Sequence, residues 1–496
     1  MSVRLDELLP AHAPGVLRVP ARPVDVSALV YDSRRVSPGC LFFCVPGAQS
    51  DGHDFAAAAA AAGAAALVVE RPLGLGVAEV LVASAREAMA LAAVRFHGDP
   101  TASLRVLGVT GTNGKTTTAF IVRRLIEATG EGCGLLGTVK SVIGGREQAA
   151  LRTTPEAIDL QAALRAMLDG GQRSCAMEVS SHALLLGRVS GVRFAAAVFT
   201  NLTQDHLDFH GSMEDYFRAK RLLFVGPVAA RLKVLNVADP YGRRLAAELP
   251  DAVTFGIDCD ADYAARDLRI DGDGSTALLT TPAGERELRL PLPGAFNVAN
   301  ALGALAAVHR LGGELDVLLD AIASGVRVPG RFEPVQEGQP FAVLVDYAHT
   351  PDSLQNVLLA AREIVSGRVI CVFGAGGDRD RGKRPSMGEI GARLADVAIV
   401  TSDNPRSEDP QAIIAEVLAG ARSTVAPADV RVQPDRALAI SEAIMLARDG
   451  DAVLIAGKGH EQGQELAGGV KVPFDDVAVA RDCLRAQVVR SEAGGR

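Results

Sequence analysis

Short apolar runs alternate along this chain with longer stretches whose apolar positions recur at helical period. Leu104–Val109 is apolar and rich in branched residues, and Thr116–Ala128 carries Ala119, Phe120, Val122, Leu125 and Ile126. The pattern predicts strand, glycine turn and helix. Upstream, Ala28–Tyr31, Leu41–Val45 and Ala65–Val69 read as strands between alanine-rich helices at Asp54–Ala62 and Ala85–Phe96. Downstream, Ser174–Val179 and Ala195–Phe199 read as buried strands, and Ser212–Phe224 as a helix that Ser212 can cap. Ile270–Pro291 reads as a hairpin turning at Asp271-Gly272, and Asn297–Leu311 as an alanine-rich helix. The last third repeats one unit. Strands Phe341–Val345, Val369–Phe373 and Val397–Val400 precede helices Pro351–Val365, Pro385–Leu394 and Pro410–Leu418, and Val453–Ile455 closes the series. Such alternation predicts an α/β protein with parallel sheets covered on both faces. Its 496 residues exceed one ordinary core, and boundaries fall at Pro100–Ser103 and Val326–Phe332. Domains are therefore expected over residues 1–102, 103–331 and 332–496.

Composition narrows the function classes. A formal charge of −8, with no long Lys/Arg block, argues against nucleic-acid binding. The longest apolar run, Phe55–Val69, is mostly alanine and too short to span a bilayer, so no membrane insertion is expected. The N-terminus lacks an apolar export segment, and the seven cysteines form no CxxC pair; both point to a cytoplasmic protein with reduced thiols.

Candidate chemistry gathers where predicted strands end. Gly108, Gly111 and Gly114 permit a tight loop whose N–H groups converge on phosphate at a helix N-terminus. Lys115 would meet the β- and γ-phosphates and the Thr116 hydroxyl would hold Mg²⁺, although Val109 stands where the strict GxxxxGK[ST] pattern has glycine. Glu178 and His206 end two further strands and suit a Mg²⁺ ion or its bound water. In the last third the strands end in Asp346-Tyr347-Ala348-His349, Gly374–Arg379, Asp403-Asn404-Pro405-Arg406 and Gly457–Glu461. GAGGDR lacks the GxGxxG spacing of a dinucleotide site. Asp409-Pro410 serves equally as a helix cap, the Asp32–Arg35 loop is as fit for a surface turn as for a ligand, and Lys220 reads as a solvated lysine.

The motifs TGTNGKTTT, EVSSHAL, NLTQDHLDFHG, EDYFRAK, FNVANALGALA, VPGRFE, VDYAHTP, GAGGDRDRGKR, TSDNPRSEDP and AGKGHE occur in order from Thr110 to Glu461, preceded by DSRRVSPGCLFF. Together they resemble the Mur ligases over nearly the whole chain. The resemblance implies an N-terminal domain for a UDP-sugar peptide, a central ATPase domain and a C-terminal Rossmann-like domain for the incoming amino acid. It implies ATP- and Mg²⁺-dependent amide formation in peptidoglycan synthesis, through an acyl phosphate. The implied substrates are UDP-N-acetylmuramoyl-L-alanyl-D-glutamate and meso-2,6-diaminopimelate, and a monomer is expected. Carried onto matching positions, Gly111, Thr112, Asn113, Gly114, Lys115, Thr116, Asn297, Arg331 and Asp346 bind ATP. Ser33, Thr153, Thr154, Ser180 and Arg188 bind the UDP-substrate. Arg379, Asp403, Asn404, Pro405, Arg406, Gly457 and Glu461 bind diaminopimelate, with Arg406 on the carboxylate that lysine lacks. Lys115, Glu178, His206 and Lys220 are the implied catalytic set. Thr116, Glu178, His206 and Lys220, the last as N6-carboxylysine, are the implied metal ligands. Leu186 stands where relatives can carry a substrate-binding glutamine. The competing readings are a sister ligase adding L-lysine and a catalytically silent nucleotide-binding scaffold.

Overall fold

The computed structural model describes residues 2–47, 50–424 and 428–494, with side chains described to residue 487. The chain divides into two compact units. One comprises Met1–Thr110, Gly130–Ala197 and Arg218–Lys233; the other Gly111–Thr129, Val198–Phe217 and Val234–Arg496.

In the first unit, a five-stranded sheet runs in the order Val16–Arg18, Ala78–Val82, Ala66–Val69, Cys40–Phe43, Ala28–Val30. All its pairs are parallel except the first. Side chains alternate across it: Leu41, Phe43, Val68 and Val80 pack with Met89 and Ala92 of helix Ala85–Phe96, while Phe42, Leu67 and Val69 pack with Ala56 and Ala59. The helix expected over Asp54–Ala62 starts instead as a 3₁₀ turn, Gly52–Phe55, followed by Ala56–Ala61. The Asp51 carboxylate accepts the His53 N–H and tightens that first turn. A second set of strands runs Arg146–Ala149, Lys140–Ile143, Cys133–Leu136, Ser174–Glu178, Arg105–Thr110. Ser174–Glu178 lies between Cys133–Leu136 and Arg105–Thr110, parallel to both, with Glu178 opposite Val109.

In the second unit, Val253–Ile257, Tyr263–Asp271, Gly274–Thr281 and Gly284–Leu290 are consecutive neighbours. Asp271 pairs with Gly274 at the expected turn. A six-stranded sheet follows, in the order Glu333–Pro334, Ala342–Asp346, Ala452–Ala456, Val369–Phe373, Val397–Val400, Asp429–Val432, parallel except at its first pair. Leu344, Cys371, Ala398 and Leu454 face helices Pro351–Ile364, Lys383–Leu394 and Pro410–Arg422. Val343, Ile370, Ile399 and Val453 face Arg436–Leu446 and Asp476–Gly494. The parallel order sends the ends of four central strands, and the loops after them, to one edge.

Asp409 caps helix Pro410–Arg422 by accepting the Gln411 N–H, with Pro410 in the first turn. Ser212 accepts the Asp215 N–H at 3.1 Å beside helix Met213–Arg221, which ends before the expected Phe224. Among the described residues no helix is long and apolar enough to cross a membrane. All seven cysteines are free thiols.

Candidate functional site

The glycine turn after Arg105–Thr110 leads into helix Lys115–Ala128. Gly111 and Gly114 have φ of 151° and 85°, and a Cβ on either would stand 1.8 Å from Thr200 Oγ1 or 2.2 Å from Asn300 Oδ1. No larger residue fits either position. Around the loop, Asn113 N–H donates to Asn201 Oδ1 at 2.9 Å, and Thr200 Oγ1 donates to Asn113 O at 2.6 Å. The Thr112 hydroxyl bonds Thr203 O at 3.1 Å and accepts from Thr203 N at 3.0 Å. Asn113 Nδ2 donates to Asp352 Oδ2 at 2.7 Å. Lys115 Nζ folds back onto Gly111 O and Thr112 O at 2.9 and 2.8 Å. That holds an ammonium over the loop where an anion would arrive.

The loop borders a cavity of about 200 Å³ lined by Asn113, Gly114, Thr117, Asn300, Arg331 and Asp346, with Phe255 and Phe296 as apolar walls. Arg331 NH2 donates to Thr116 Oγ1 at 3.0 Å. Asp346 accepts the N–H groups of Phe332 and Ala348, both at 2.7 Å. Burial pushes its carboxyl above the usual carboxylate range, against the pull of Arg331. Asn297 turns its amide to Pro293 O, whereas Asn300, one turn on, lines the cavity. Asn300 and Asp352 are among the residues here to which no motif gives a role, together with Thr117, Thr200, Asn201 and Asn356. Asn300 stood in the same helix start, but Asp352 gave no signal beyond its place after Thr350-Pro351.

A second cavity in the same unit, about 220 Å³, collects Asp205, His206, Tyr347, His349, Arg379, Lys383, Asp403, Asn404, Arg406, Gly457 and Glu461. Of the residues expected to bind diaminopimelate, only Pro405 is not in its lining. Asn404 and Glu461 are joined by Lys458, which is fully buried: its Nζ donates to Asn404 Oδ1 at 2.9 Å and Glu461 Oε2 at 3.0 Å. Burial alone would raise the Asp403 carboxyl, but Arg436 and Lys458 bring it below the usual range. Arg406, at φ 50°, pairs Nε with Glu465 Oε2 at 2.8 Å and donates to Gly377 O. Burial lowers the His349 imidazole, helped by Lys383 and opposed by Asp205. Lys458, Lys383, Tyr347 and His349 escaped assignment from sequence, because nothing about an isolated Lys or His in a loop tells which cavity it enters.

In the first unit, Thr153, Thr154, Ser180 and Arg188 come together around Glu178. Thr138 donates from N and Oγ1 to the two Glu178 oxygens, at 2.8 and 3.0 Å, and lies 3.0 Å from Thr153 Oγ1. Thr154 Oγ1 donates to Glu178 O and accepts from Ser180 N. Arg188 pairs with buried Glu156 at 2.9 Å. Ser33 lies in the 3₁₀ turn Ser33–Arg35, and its neighbour Tyr31 donates to Asp159 at 2.6 Å on helix Ala157–Asp169. Lys220 is 1% exposed, so the solvated lysine expected from composition is instead a buried amine. The helical turn that carries it also carries Tyr216, Phe217 and Ala219, all buried, and sequence alone could not say that Lys220 shares their side.

The Mur ligase middle-domain model matches residues 109–308, the Mur ligase glutamate ligase domain residues 330–459, and the Mur ligase family catalytic domain residues 25–98. A UDP-N-acetylmuramoyl-L-alanyl-D-glutamate–2,6-diaminopimelate ligase from Geobacillus kaustophilus is 48% identical over 96% of this chain and 98% of its own length. The chain belongs to the Mur ligase family. Another Mur ligase of the same name, from Synechococcus elongatus, is 47% identical over 96% of both chains. A solved structure of a 2,6-diaminopimelate ligase of this type superposes with a TM-score of 0.69 at 34% identity, covering 98% of this chain and 99% of that one. Both the family and the α/β fold expected from the motifs are thus established.

Proposed function

We propose that this Mur ligase joins meso-2,6-diaminopimelate to the D-glutamyl γ-carboxylate of UDP-N-acetylmuramoyl-L-alanyl-D-glutamate, driven by ATP, in peptidoglycan synthesis. The observation that carries the reading is the second cavity, where two guanidinium groups, Arg379 and Arg406, share walls with Asp403 and Glu461. A diamino dicarboxylic acid presents the complementary charges. The names borne by relatives of near-full-length similarity point the same way.

A carboxylate resists attack by an amine until one oxygen becomes a good leaving group. Phosphoryl transfer from ATP supplies that group, the amine adds to the acyl carbon, and phosphate departs from the tetrahedral intermediate. Gly111–Thr116 bind the nucleotide phosphates, and Lys115 offsets the charge that develops on them. Asn297, Arg331 and Asp346 support the rest of the nucleotide. Ser33, Thr153, Thr154, Ser180 and Arg188 hold the UDP-substrate, and Arg379, Asp403–Arg406, Gly457 and Glu461 hold the amino acid.

Among the described residues no three His, Cys, Asp or Glu side chains form a ready metal cluster. Mg²⁺ takes few protein ligands and completes its shell with phosphate oxygens and water. Thr116, Glu178, His206 and Lys220 as carbamate are the candidate ligands. Bound there, the ion would neutralise charge on the phosphoryl group. Lys220, at 1% exposure, is the lysine that this reading carbamylates. The division at residues 102 and 331, a monomeric state and a cytoplasmic site complete the reading; a UDP-sugar and ATP are both cytoplasmic compounds.

The test is phosphate release by purified protein with ATP, Mg²⁺ and the UDP-dipeptide, with diaminopimelate and L-lysine supplied separately. Release that depends on diaminopimelate, with the tripeptide product seen by mass, is expected. Release with lysine alone would keep the ligase and overturn the amino-acid assignment, and silence with both would favour the scaffold.

A further inference from the structure

Lys383 is the first residue of helix Lys383–Leu394 and lines the charged cavity with only 6% of its surface exposed. Three features make it an expensive residue. It is nine-tenths buried. Its side chain makes no hydrogen bond and has no carboxylate within ion-pair distance among the described residues. It also stands at the positive end of a 12-residue helix whose N-cap, Gly382, offers no side chain. Each of these disfavours an ammonium, and a buried cation without a partner costs stability unless something else supplies the counter-charge. The other cations of the cavity differ. Arg406 is paired with Glu465, and Arg379 is exposed and donates to Asp378 O. The neighbouring Arg384 is fully buried but shared between Glu408 and Glu416.

Building on the ligase reading above, we infer that Lys383 is a substrate-contacting residue whose ammonium binds a carboxylate of the incoming diamino dicarboxylic acid. Its place beside Arg379 at the mouth of a helix N-terminus gives that carboxylate a cation and the helix dipole together. Burial lowers the Lys383 pKa while Asp205, Asp403 and Asp380 resist the change, so an arriving carboxylate strengthens a charge the pocket alone holds weakly.

The test uses the full-length enzyme and the variants K383M and K383R. For K383M the KM for diaminopimelate is expected to rise about ten- to a hundredfold, the loss of one charge-assisted bond. KM for ATP and for the UDP-dipeptide should stay within about twofold. K383R should recover part of the loss. The ligand-free K383M protein should unfold at the same or a higher temperature than wild type, a result that a purely structural lysine would not give. An unchanged KM for diaminopimelate would overturn the inference, as would a rise confined to the UDP-dipeptide, or an equal rise for all three substrates with reduced stability. Wild-type protein without diaminopimelate-dependent phosphate release would remove the functional reading and this inference with it. Wild-type activity with K383M unaffected would remove this inference alone.

Discussion

In the nucleotide cavity most of the polar lining comes from amides and hydroxyls, and its loop is six consecutive residues, Gly111–Thr116, braced by Thr200, Asn201 and Asp352. In the charged cavity five separate loops bring acids and bases together, and fully buried cations stand behind them: Lys458 under Asn404 and Glu461, Arg436 under Asp403, Arg384 under Gly376. Phosphate is recognised largely by backbone N–H groups, which any sequence with the right turn can present. An amino acid bearing several charges needs side chains of both signs at fixed distances, and a low-dielectric wall must hold them in place. The first site is therefore compact in sequence and tolerant of its surroundings, while the second is dispersed and depends on buried ion pairs.

That contrast can be broken most forcefully at Lys115. Lys115→Met should lower turnover on the order of a thousandfold with a smaller effect on the unfolding midpoint, because it removes the ammonium that offsets charge on the phosphates. Steady-state kinetics beside a thermal melt decide it. The charged cavity should respond the other way at Arg436, which makes two bonds of 2.8 and 2.7 Å to buried Asp476 and one to Ala456 O. Arg436→Met should destabilise by about 3–5 kcal/mol in urea denaturation, and the double change R436M/D476L should recover most of it. No recovery would mean that the other partners of Arg436, Asp403 and the Ala456 carbonyl, matter more than the pair with Asp476.

Selectivity lies one step further down in size. Arg406→Ala should reduce the preference for diaminopimelate over lysine by about ten- to a hundredfold, measured by competition between the two amines. Asp352→Ala should raise KM for ATP several-fold, since it frees Asn113 without touching the phosphate loop's glycines. The smallest effect is a pH dependence. The Arg384 guanidinium holds Glu408 at about 2, below its ordinary 4.5. A lowered carboxylate contributes stability above its unfolded value and loses it as pH falls through the folded one, so the melting temperature should decline between about pH 4.5 and 2. Glu408→Gln should flatten that slope, and a slope unchanged in the variant would assign it to other acids.

Much of the nucleotide site was legible beforehand because strand, glycine turn and lysine are contiguous and each has a local reason. Its supports were not: Asp352 lies more than two hundred residues from Asn113, and no local pattern announces that pairing. In the charged cavity Arg379, Arg406 and Glu461 stood out within motifs. Lys383 and Lys458 look like any surface lysine until the fold buries them. Helices Ala157–Asp169 and Arg436–Leu446 fall outside the motifs.

The sequence by itself determined the alternation of strands and helices, the phosphate turn and the family, because each rests on short-range periodicity or on backbone freedom at particular glycines. Only the tertiary structure decided that Lys220 is buried, that Asn300 rather than Asn297 lines the nucleotide cavity, and that Lys383 enters the charged one unpaired. Burial and pairing are properties of which segments meet. Parallel strands joined by long crossovers bring together loops that lie far apart in the chain.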